Sequence, residues 1–206
     1  VETSFFHAHK DEYDRCVKQP FYDFIDALAP VALQISGDIE VRPPRCLARI
    51  HRDTRYTKDK SPYRDHLWLL FRRAAEPREN SVMYWFELGP EHVNWGLGFW
   101  GMNRPAMDVL RERMRDKPNE VNRVLRQCRL PDAEGGVVVS GERFSRMKIP
   151  EEVPPSLHAL YPLKSIYFER VGVPLREAYQ STLVDRVGGD LLRLKPMYLY
   201  LRSASD

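Results

Sequence analysis

The sequence has few cysteines and no long apolar run, and each shortage excludes a class of protein. Cys16, Cys46 and Cys128 are odd in number and far apart, which argues against a disulfide framework and favours a reducing compartment. No stretch approaches the roughly 20 apolar residues of a membrane-spanning helix, and no charged-then-apolar signal segment opens the chain. We therefore expect a cytoplasmic protein with no membrane partner.

Cofactor and metal motifs are also missing. Gly96 and Gly98 lack the third glycine and the strand-to-helix turn of a dinucleotide-binding fingerprint. His7 and His9 are two residues apart on a predicted helix and so diverge, and the other histidines have no ligand spacing. The sequence thus predicts no metal site, leaves any cofactor unknown, and does not decide whether the protein is an enzyme.

Length and composition predict one folded domain over residues 1–206. Hydrophobic residues make up 43% of the chain, which is enough to build a core. The first residue is Val1 and not Met, so we expect the natural chain to begin earlier. Sixteen prolines punctuate the sequence and predict short elements joined by stiff turns.

Apolar periodicity predicts helices near both ends of the chain and a block of strands between them. Helices are predicted over residues 4–18, 20–35, 103–116 and 118–129 and in the C-terminal region, where we expect an interruption near Gly188-Gly189. Strands are predicted over residues 39–42, 46–51, 66–72 (with a short helix as the competitor), 81–88, 92–100, within 137–145, and 164–171. Because Gly89-Pro90-Glu91 is a hairpin-length connection, we expect an α+β fold, mainly an antiparallel sheet with helices segregated before and after the strand block.

The most distinctive chemistry lies in a basic segment, Arg49–Arg64. It holds six cations and two carboxylates, a local net charge of +4 against +3 for the whole chain. Arginine presents a planar fork of donors that fits carboxylate or phosphate groups, and lysine adds a point charge. The candidate ligand-binding residues are Arg49, Arg52, Arg55, Lys60 and Tyr63.

The conformation of this segment decides which of its side chains meet, and the sequence leaves it open. Arg49 and Arg55 share a face if a strand continues past Ile50, whereas Arg49, Arg52 and Arg55 converge if the segment turns. Asp53 orients an arginine or acts as a base, and Asp53 and Tyr63 are the candidate catalytic residues. Ser61-Pro62 is typical of a helix start, whose N–H groups favour anions.

Two other groups of residues have a structural and a functional interpretation. Trp85, Trp95 and Trp100 are expected in the core, although Trp95 and Trp100 stand beside glycines and are also suited to line a cleft. A third set, Arg111, Arg113 and Arg115, is interpreted as an exposed helix face.

The basic segment also resembles the signature of a known family. The pattern Arg-x-x-Arg-Asp-x-Arg-aromatic-x-x-Asp-Lys-x-x-Tyr is matched by Arg49, Arg52, Asp53, Arg55, Tyr56, Asp59, Lys60 and Tyr63. It is similar to that of DUF2461, a family without an established function, and the similarity extends to Trp95-Gly96-x-Gly98 and to the helix after Pro105. The resemblance implies that Tyr56 and Asp59 are structural members of the motif, and it implies no mechanism.

Three functions compete for the basic segment, beside the plain interpretation that it is a solvated loop. The first is binding of an anionic, phosphate- or carboxylate-bearing small molecule, with a reaction left open. The second is a scaffold role in which the motif is an ion-paired clasp. The third is nucleic-acid binding through cations and the two tyrosines, which the slightly acidic remainder of the chain disfavours.

Overall fold

A computed structural model describes residues 3–55, 58, 60–132 and 136–205 of the chain. Its helices are α1 Thr3–Ala8, α2 Lys10–Tyr13, α3 Gln19–Ile35, α4 Pro43–Cys46, α5 Arg104–Asp116, α6 Pro118–Gln127, α7 Leu183–Arg193 and α8 Lys195–Ser205. Its strands are β1 Leu67–Arg72, β2 Val82–Leu88, β3 His92–Phe99, β4 Val138–Ser140 and β5 Tyr167–Pro174. A π-helical turn, Asp14–Lys18, joins α2 to α3, and short 3₁₀ turns lie at Arg78–Asn80, Pro155–Leu157 and Leu175–Tyr179.

The strands of the described residues form one sheet in the order β1-β2-β3-β5-β4. Every neighbouring pair is antiparallel, and one row of partners runs Leu70, Trp85, Gly96, Glu169, Val138 across all five strands. The predicted hairpin of residues 81–88 and 92–100 is confirmed as β2 and β3. The α+β prediction is confirmed as well, because the sheet is antiparallel and the helices are grouped before β1, between β3 and β4, and after β5.

One face of the sheet builds the core, since strand side chains alternate between faces. On β1, Leu67, Leu69 and Phe71 are buried, and Trp95 and Phe168 continue this face on β3 and β5. Helix α3 packs here because its buried side chains recur at helical spacing: Phe21, Ile25, Leu28, Ala32 and Ile35. Burying a large apolar side chain contributes about 1.5–3 kcal/mol, so this stripe holds α3 in place.

The C-terminal helix α8 packs beside the same face and is fixed by aromatic stacking. The buried ring of Tyr198 stacks on that of Tyr84 in β2, with 5.3 Å between the centroids. Helix α5 also contacts α8, and its N-terminus is capped by the Asn103 side chain, which accepts a hydrogen bond from the Ala106 N–H at 3.2 Å.

A buried ion-pair network connects helix α7 to the sheet. The Asp190 carboxylate accepts hydrogen bonds from Trp95 Nε1 at 2.9 Å and from Arg170 Nε at 2.8 Å. Arg193 lies 3.4 Å from the same carboxylate and donates to Asp132 at 3.0 Å. Asp190 is 8% exposed, so this network, which the sequence did not predict, is a clasp of the kind expected for the basic segment.

Several predicted elements were wrong in their bounds. Residues 39–42 and 46–51 are not strands, because Ile39, Leu47 and His51 each make a single bridge and Pro43–Cys46 forms a helical turn. By contrast, the helix predicted over residues 20–35 is confirmed as α3, which has Pro20 in its first turn. The π-helical turn Asp14–Lys18 lies directly before it in the chain.

The C-terminal half differs from prediction in similar ways. Helix α7 runs through Gly188-Gly189, and the break comes at Leu194, between α7 and α8. The strand predicted within 137–145 is confined to Val138–Ser140, and that predicted over 164–171 lies at Tyr167–Pro174. Among the described residues, no helix is long and apolar enough to cross a membrane.

Candidate functional site

The basic segment folds back on itself beside strand β1. The Ala48 N–H donates to the Trp68 carbonyl at 2.9 Å, which attaches the start of the segment to β1. Further on, Arg52 N–H donates to Pro62 O and Arg64 N–H donates to Ile50 O, each at 2.9 Å. These two hydrogen bonds bring the two ends of the Arg49–Arg64 segment together.

The folded segment, β1 and the turn before β2 enclose a polar cleft of about 650 Å³, which we name the arginine cleft. Two carboxylates, Glu40 and Asp53, also line it. Its cationic lining consists of Arg45, Arg49, Arg52, Arg64, Arg72 and Arg78. The lining therefore carries a marked positive excess.

Both carboxylates are bound by arginines from outside the lining. Asp53 accepts bonds from Arg55 Nε at 3.0 Å and Nη2 at 2.8 Å, and this bonding lowers the pKa of Asp53 to about 2. Arg42 binds Glu40 in the same forked way and lowers its pKa to about 2. The acids are thus ionised at neutral pH, and Arg42 and Arg55 offset their charge.

Arg64 is held at the wall of the cleft, where its surroundings disfavour its positive charge. Its Nη1 donates to the carbonyl of Arg49 at 2.9 Å and, at 3.3 Å, to that of His51, which fixes the guanidinium at the cleft wall. Burial lowers the pKa of Arg64, the positive charges of Arg52 and Arg78 lower it further, and the negative charge of Asp53 offsets part of this effect. Like charges are therefore held together here, an arrangement that an anion would relieve.

The predicted site residues divide into two groups. Arg49, Arg52 and Asp53 line the arginine cleft, whereas Arg55 turns back to Asp53, so neither predicted conformation holds in full. Lys60 lies outside the lining and donates from Nζ to the Thr54 carbonyl at 2.7 Å.

Tyr63, the other predicted ligand-binding and catalytic candidate, is 8% exposed and stacks on Phe6, with 4.5 Å between the ring centroids. Tyr56 and Asp59 lie outside the described residues, so the structure says nothing of their assigned roles. Where Ser61-Pro62 predicted a helix start, the described backbone has a bend and then the bridge from Tyr63 to His51.

Sequence reasoning missed four of the cleft arginines as ligand-binding candidates. Arg72 shares a face of β1 with Trp68 and Leu70, so strand periodicity carried a signal for it. Arg64 was in the segment but fell outside the motif pattern. Arg45 and Arg78 come from turns, where no periodicity predicts direction.

A second cleft, of about 740 Å³, lies on the sheet face opposite the core, and we name it the aromatic cleft. The aromatic side chains of its lining are Trp68, Trp85, Phe99, Trp100 and Tyr167, with the imidazole of His66 beside them. Of the two tryptophans expected either in the core or in a cleft, Trp100 lines the cleft, whereas Trp95 is 1% exposed and lies in the core. Trp85 is half-buried at the cleft and not in the core, because it shares its face with Met83 and Glu87.

The arginines of helix α5 are not the exposed face that was predicted. The Arg111 side chain is 12% exposed and donates to the Leu163 carbonyl at 2.9 Å. Arg113 donates to the Ser203 carbonyl at 2.6 Å, which ties α5 to α8. Of the three, only Arg115 has the predicted exposed side chain, and it forms an ion pair with Asp116.

Across residues 3–55, 58, 60–132 and 136–205, no three His, Cys, Asp or Glu side chains are grouped to hold a metal ion. The three cysteines, all within the described residues, are free thiols.

Comparison with known proteins identifies the family. The structure is that of an α+β protein with an antiparallel sheet and an arginine-lined cleft beside its outer strand β1. The family described as conserved hypothetical protein, DUF2461, matches residues 2–200, so the chain belongs to DUF2461. No curated protein matches the chain.

Proposed function

We propose that the chain binds a multiply charged small molecule, bearing phosphate or carboxylate groups, in the arginine cleft. The observation that carries the proposal is the position of Arg64, which is partly buried and lies near the like charges of Arg52 and Arg78. Folding must overcome the repulsion among these groups. A bound anion removes that repulsion and gains charge-assisted hydrogen bonds.

The cleft chemistry favours an oxyanion over other ligands. Guanidinium groups are donors without acceptor capacity, and their forks match the oxygens of phosphate and carboxylate. Arg49 and Arg52, both of the family motif, supply two of them, and Arg64, Arg72 and Arg78 face the same space. In this proposal Arg55 and Asp53 shape the rim through their mutual pair.

The proposal includes no reaction. A general base works best with a pKa near the operating pH, and binding by Arg55 holds the pKa of Asp53 at about 2. Asp53 is therefore assigned to positioning. The free thiols support the further proposal of a reducing, cytoplasmic compartment.

The scaffold alternative receives less support. The Asp53 and Arg55 side chains are 50% and 75% exposed, and exposed ion pairs contribute little to folding stability. Because both charges of this pair remain largely in water, their ion pair contributes little to the free energy of unfolding.

Calorimetric titration with pyrophosphate and citrate at constant ionic strength tests the proposal. A charge-assisted hydrogen bond contributes about 1.5–3 kcal/mol, so we expect Arg64→Gln to weaken binding at least about ten-fold. Arg49→Gln, at an exposed position, should weaken it similarly without a loss of fold. Arg176→Gln, at a 78% exposed arginine outside the cleft lining, is the matched control and should bind as the wild type does. Wild-type affinity in both cleft variants would reject the proposal.

A further inference from the structure

The two clefts are one continuous surface. Trp68 and Leu70 line both of them, because they project from β1 to the sheet face shared with Arg72. The Arg64 guanidinium lies 4.6 Å from the Trp68 ring centroid, at the junction. A ligand whose anionic group enters the arginine cleft therefore has its remainder directed over the aromatic cleft.

The aromatic cleft is shaped to take a flat group. Half-buried Trp85 and Tyr167 stand on either side of strand β3, and their register partners on that strand are Gly96 and Gly98. These glycines let the Tyr167 ring lie directly against Gly98 and the Glu169 side chain against Gly96, so that both side chains line the cleft close to the sheet. A Cβ at Gly98 would come within 2.5 Å of the Tyr167 ring, so the strand tolerates little else there.

Acidic side chains in the lining of the aromatic cleft favour a ligand that presents hydrogen-bond donors there. Glu87 and Glu169 line the aromatic cleft, and Glu169 accepts a hydrogen bond from the Ser140 hydroxyl. A carboxylate has about four acceptor sites, so one bond leaves capacity for N–H donors of a ligand. The same carboxylates repel phosphate. Positive and negative charge are thus separated between the two clefts.

These observations point to one chemical class, and we propose that the ligand is a nucleoside monophosphate. The phosphate binds the arginine cleft, while the base stacks on Trp85 or Tyr167 and donates N–H bonds to Glu169 or Glu87. This inference rests on the proposed anion-binding function. A nucleic-acid strand fits less well, because its successive phosphates would cross the carboxylates.

Calorimetry with AMP, GMP and ribose 5-phosphate, at one ionic strength, tests the inference. Stacking of a base on an aromatic side chain is worth about ten-fold or more in affinity. We therefore expect at least one nucleotide to bind about ten-fold more tightly than ribose 5-phosphate. Trp85→Leu should abolish this advantage and leave the ribose 5-phosphate affinity unchanged, and Arg64→Gln should weaken all three ligands.

Glu169→Gln gives a second readout that keeps the shape of the cleft. We expect it to change the preference between AMP and GMP, because the amide replaces an acceptor by a donor. The loss of a carboxylate that repels phosphate should act alike on AMP, GMP and ribose 5-phosphate, so the ratio of the AMP and GMP affinities is the readout. Circular dichroism of each variant confirms that it is folded. If Trp85→Leu does not fold, the Glu169→Gln result decides.

The outcomes separate the two proposals. Equal affinity for ribose 5-phosphate and both nucleotides, with pyrophosphate binding still dependent on Arg64, overturns the nucleotide inference and leaves the anion site standing. Failure of every phosphate to bind overturns both. Binding of a ten-nucleotide single strand far more tightly than either mononucleotide also overturns the inference, in favour of a nucleic-acid surface.

Discussion

The Arg64 guanidinium lies over the ring of Trp68, 4.6 Å from its centroid, and so joins the charged and the aromatic part of one surface. A cation over an indole face is attracted by the ring quadrupole. The ring thereby helps to hold Arg64 beside Arg52 and Arg78, against their repulsion. Pyrophosphate affinity should consequently depend on a side chain that carries no charge.

The first prediction concerns this pair. A cation–π contact is worth about 0.5–1 kcal/mol, so Trp68→Leu should weaken pyrophosphate binding about two- to five-fold. In a double-mutant cycle with Arg64→Gln, the two effects should fall short of additivity. Tyr179→Leu, at an 80% exposed ring outside the lining of both clefts, is the control and should be additive with Arg64→Gln. Additive effects of Trp68 and Arg64 would show that the stacking does not position the guanidinium.

The second prediction concerns the buried network at Asp190. Asp190→Ala removes the carboxylate that Arg170 and Arg193 share and leaves Arg193 with Asp132, and we expect a loss of about 3–5 kcal/mol in the free energy of unfolding. Asp190→Asn should lose less, because its oxygen still accepts from Trp95 Nε1. Urea denaturation followed by circular dichroism measures both. Asp116→Ala, which breaks a solvent-exposed pair with Arg115, should leave the transition midpoint unchanged.

The third prediction concerns stability in acid. Binding by Arg42 lowers the pKa of Glu40 from 4.5 to about 2 in the folded protein. Between those values the unfolded chain binds the proton more readily than the folded chain does. This contribution is therefore complete above about pH 4.5 and is lost as the pH falls toward 2.

Glu40→Gln should accordingly flatten the fall in unfolding free energy between pH 5 and pH 2, as measured by urea titrations at a series of pH values. Glu151→Gln, at an exposed turn position, is the control and should follow the wild-type curve. If the Glu40 and Glu151 variants run parallel, the Glu40–Arg42 pair does not contribute to acid sensitivity.

The fourth prediction compares two glycines. A Cβ at Gly98 would lie 2.5 Å from the Tyr167 ring and 2.6 Å from the Ile166 carbonyl, so Gly98→Ala should cost about 1–3 kcal/mol through forced displacement. At Gly189, inside α7, a Cβ meets nothing within 4 Å of the described atoms, and Ala is the better helix former. Gly189→Ala should therefore gain about 0.5–1 kcal/mol. Thermal unfolding of both variants measures the contrast, and a neutral Gly98→Ala would mean that β5 moves away freely.

The secondary-structure elements that could be predicted from the sequence are those with a strong local pattern of apolar residues and turn residues. The β2–β3 hairpin was predictable because short runs rich in apolar and aromatic residues stand on both sides of a short turn. The segment around Leu47 was not, because its partners Leu69 and Trp68 lie some twenty residues away and contribute single bridges instead of a ladder. The continuity of α7 through Gly188-Gly189 was missed because buried neighbours such as Val187 and Leu191 outweigh glycine's helix penalty.

The candidate site was predictable in part for the same reason. Local charge identified Arg49 and Arg52, which lie on one stretch of chain. Arg72 and Arg78 join them only through tertiary structure. In the same way, the hydrogen bond between Trp95 and Asp190 was not predictable, because the two residues are far apart in the sequence. The density of charge along a sequence thus indicates where a candidate site lies, but it does not identify all the residues that line it.

The attachment of Ala48 to Trp68 has a consequence for how copies of the chain meet. Strand β1 is an outer strand of the sheet, and its free hydrogen-bonding groups would be a template for pairing with another molecule. Glu40, Leu47 and Ala48, which precede the basic segment, occupy part of that edge, and the arginines of the arginine cleft lie beside it. Because like charges on two copies repel each other, we expect the arginines that are proposed to hold an anion also to disfavour edge-to-edge association of two molecules.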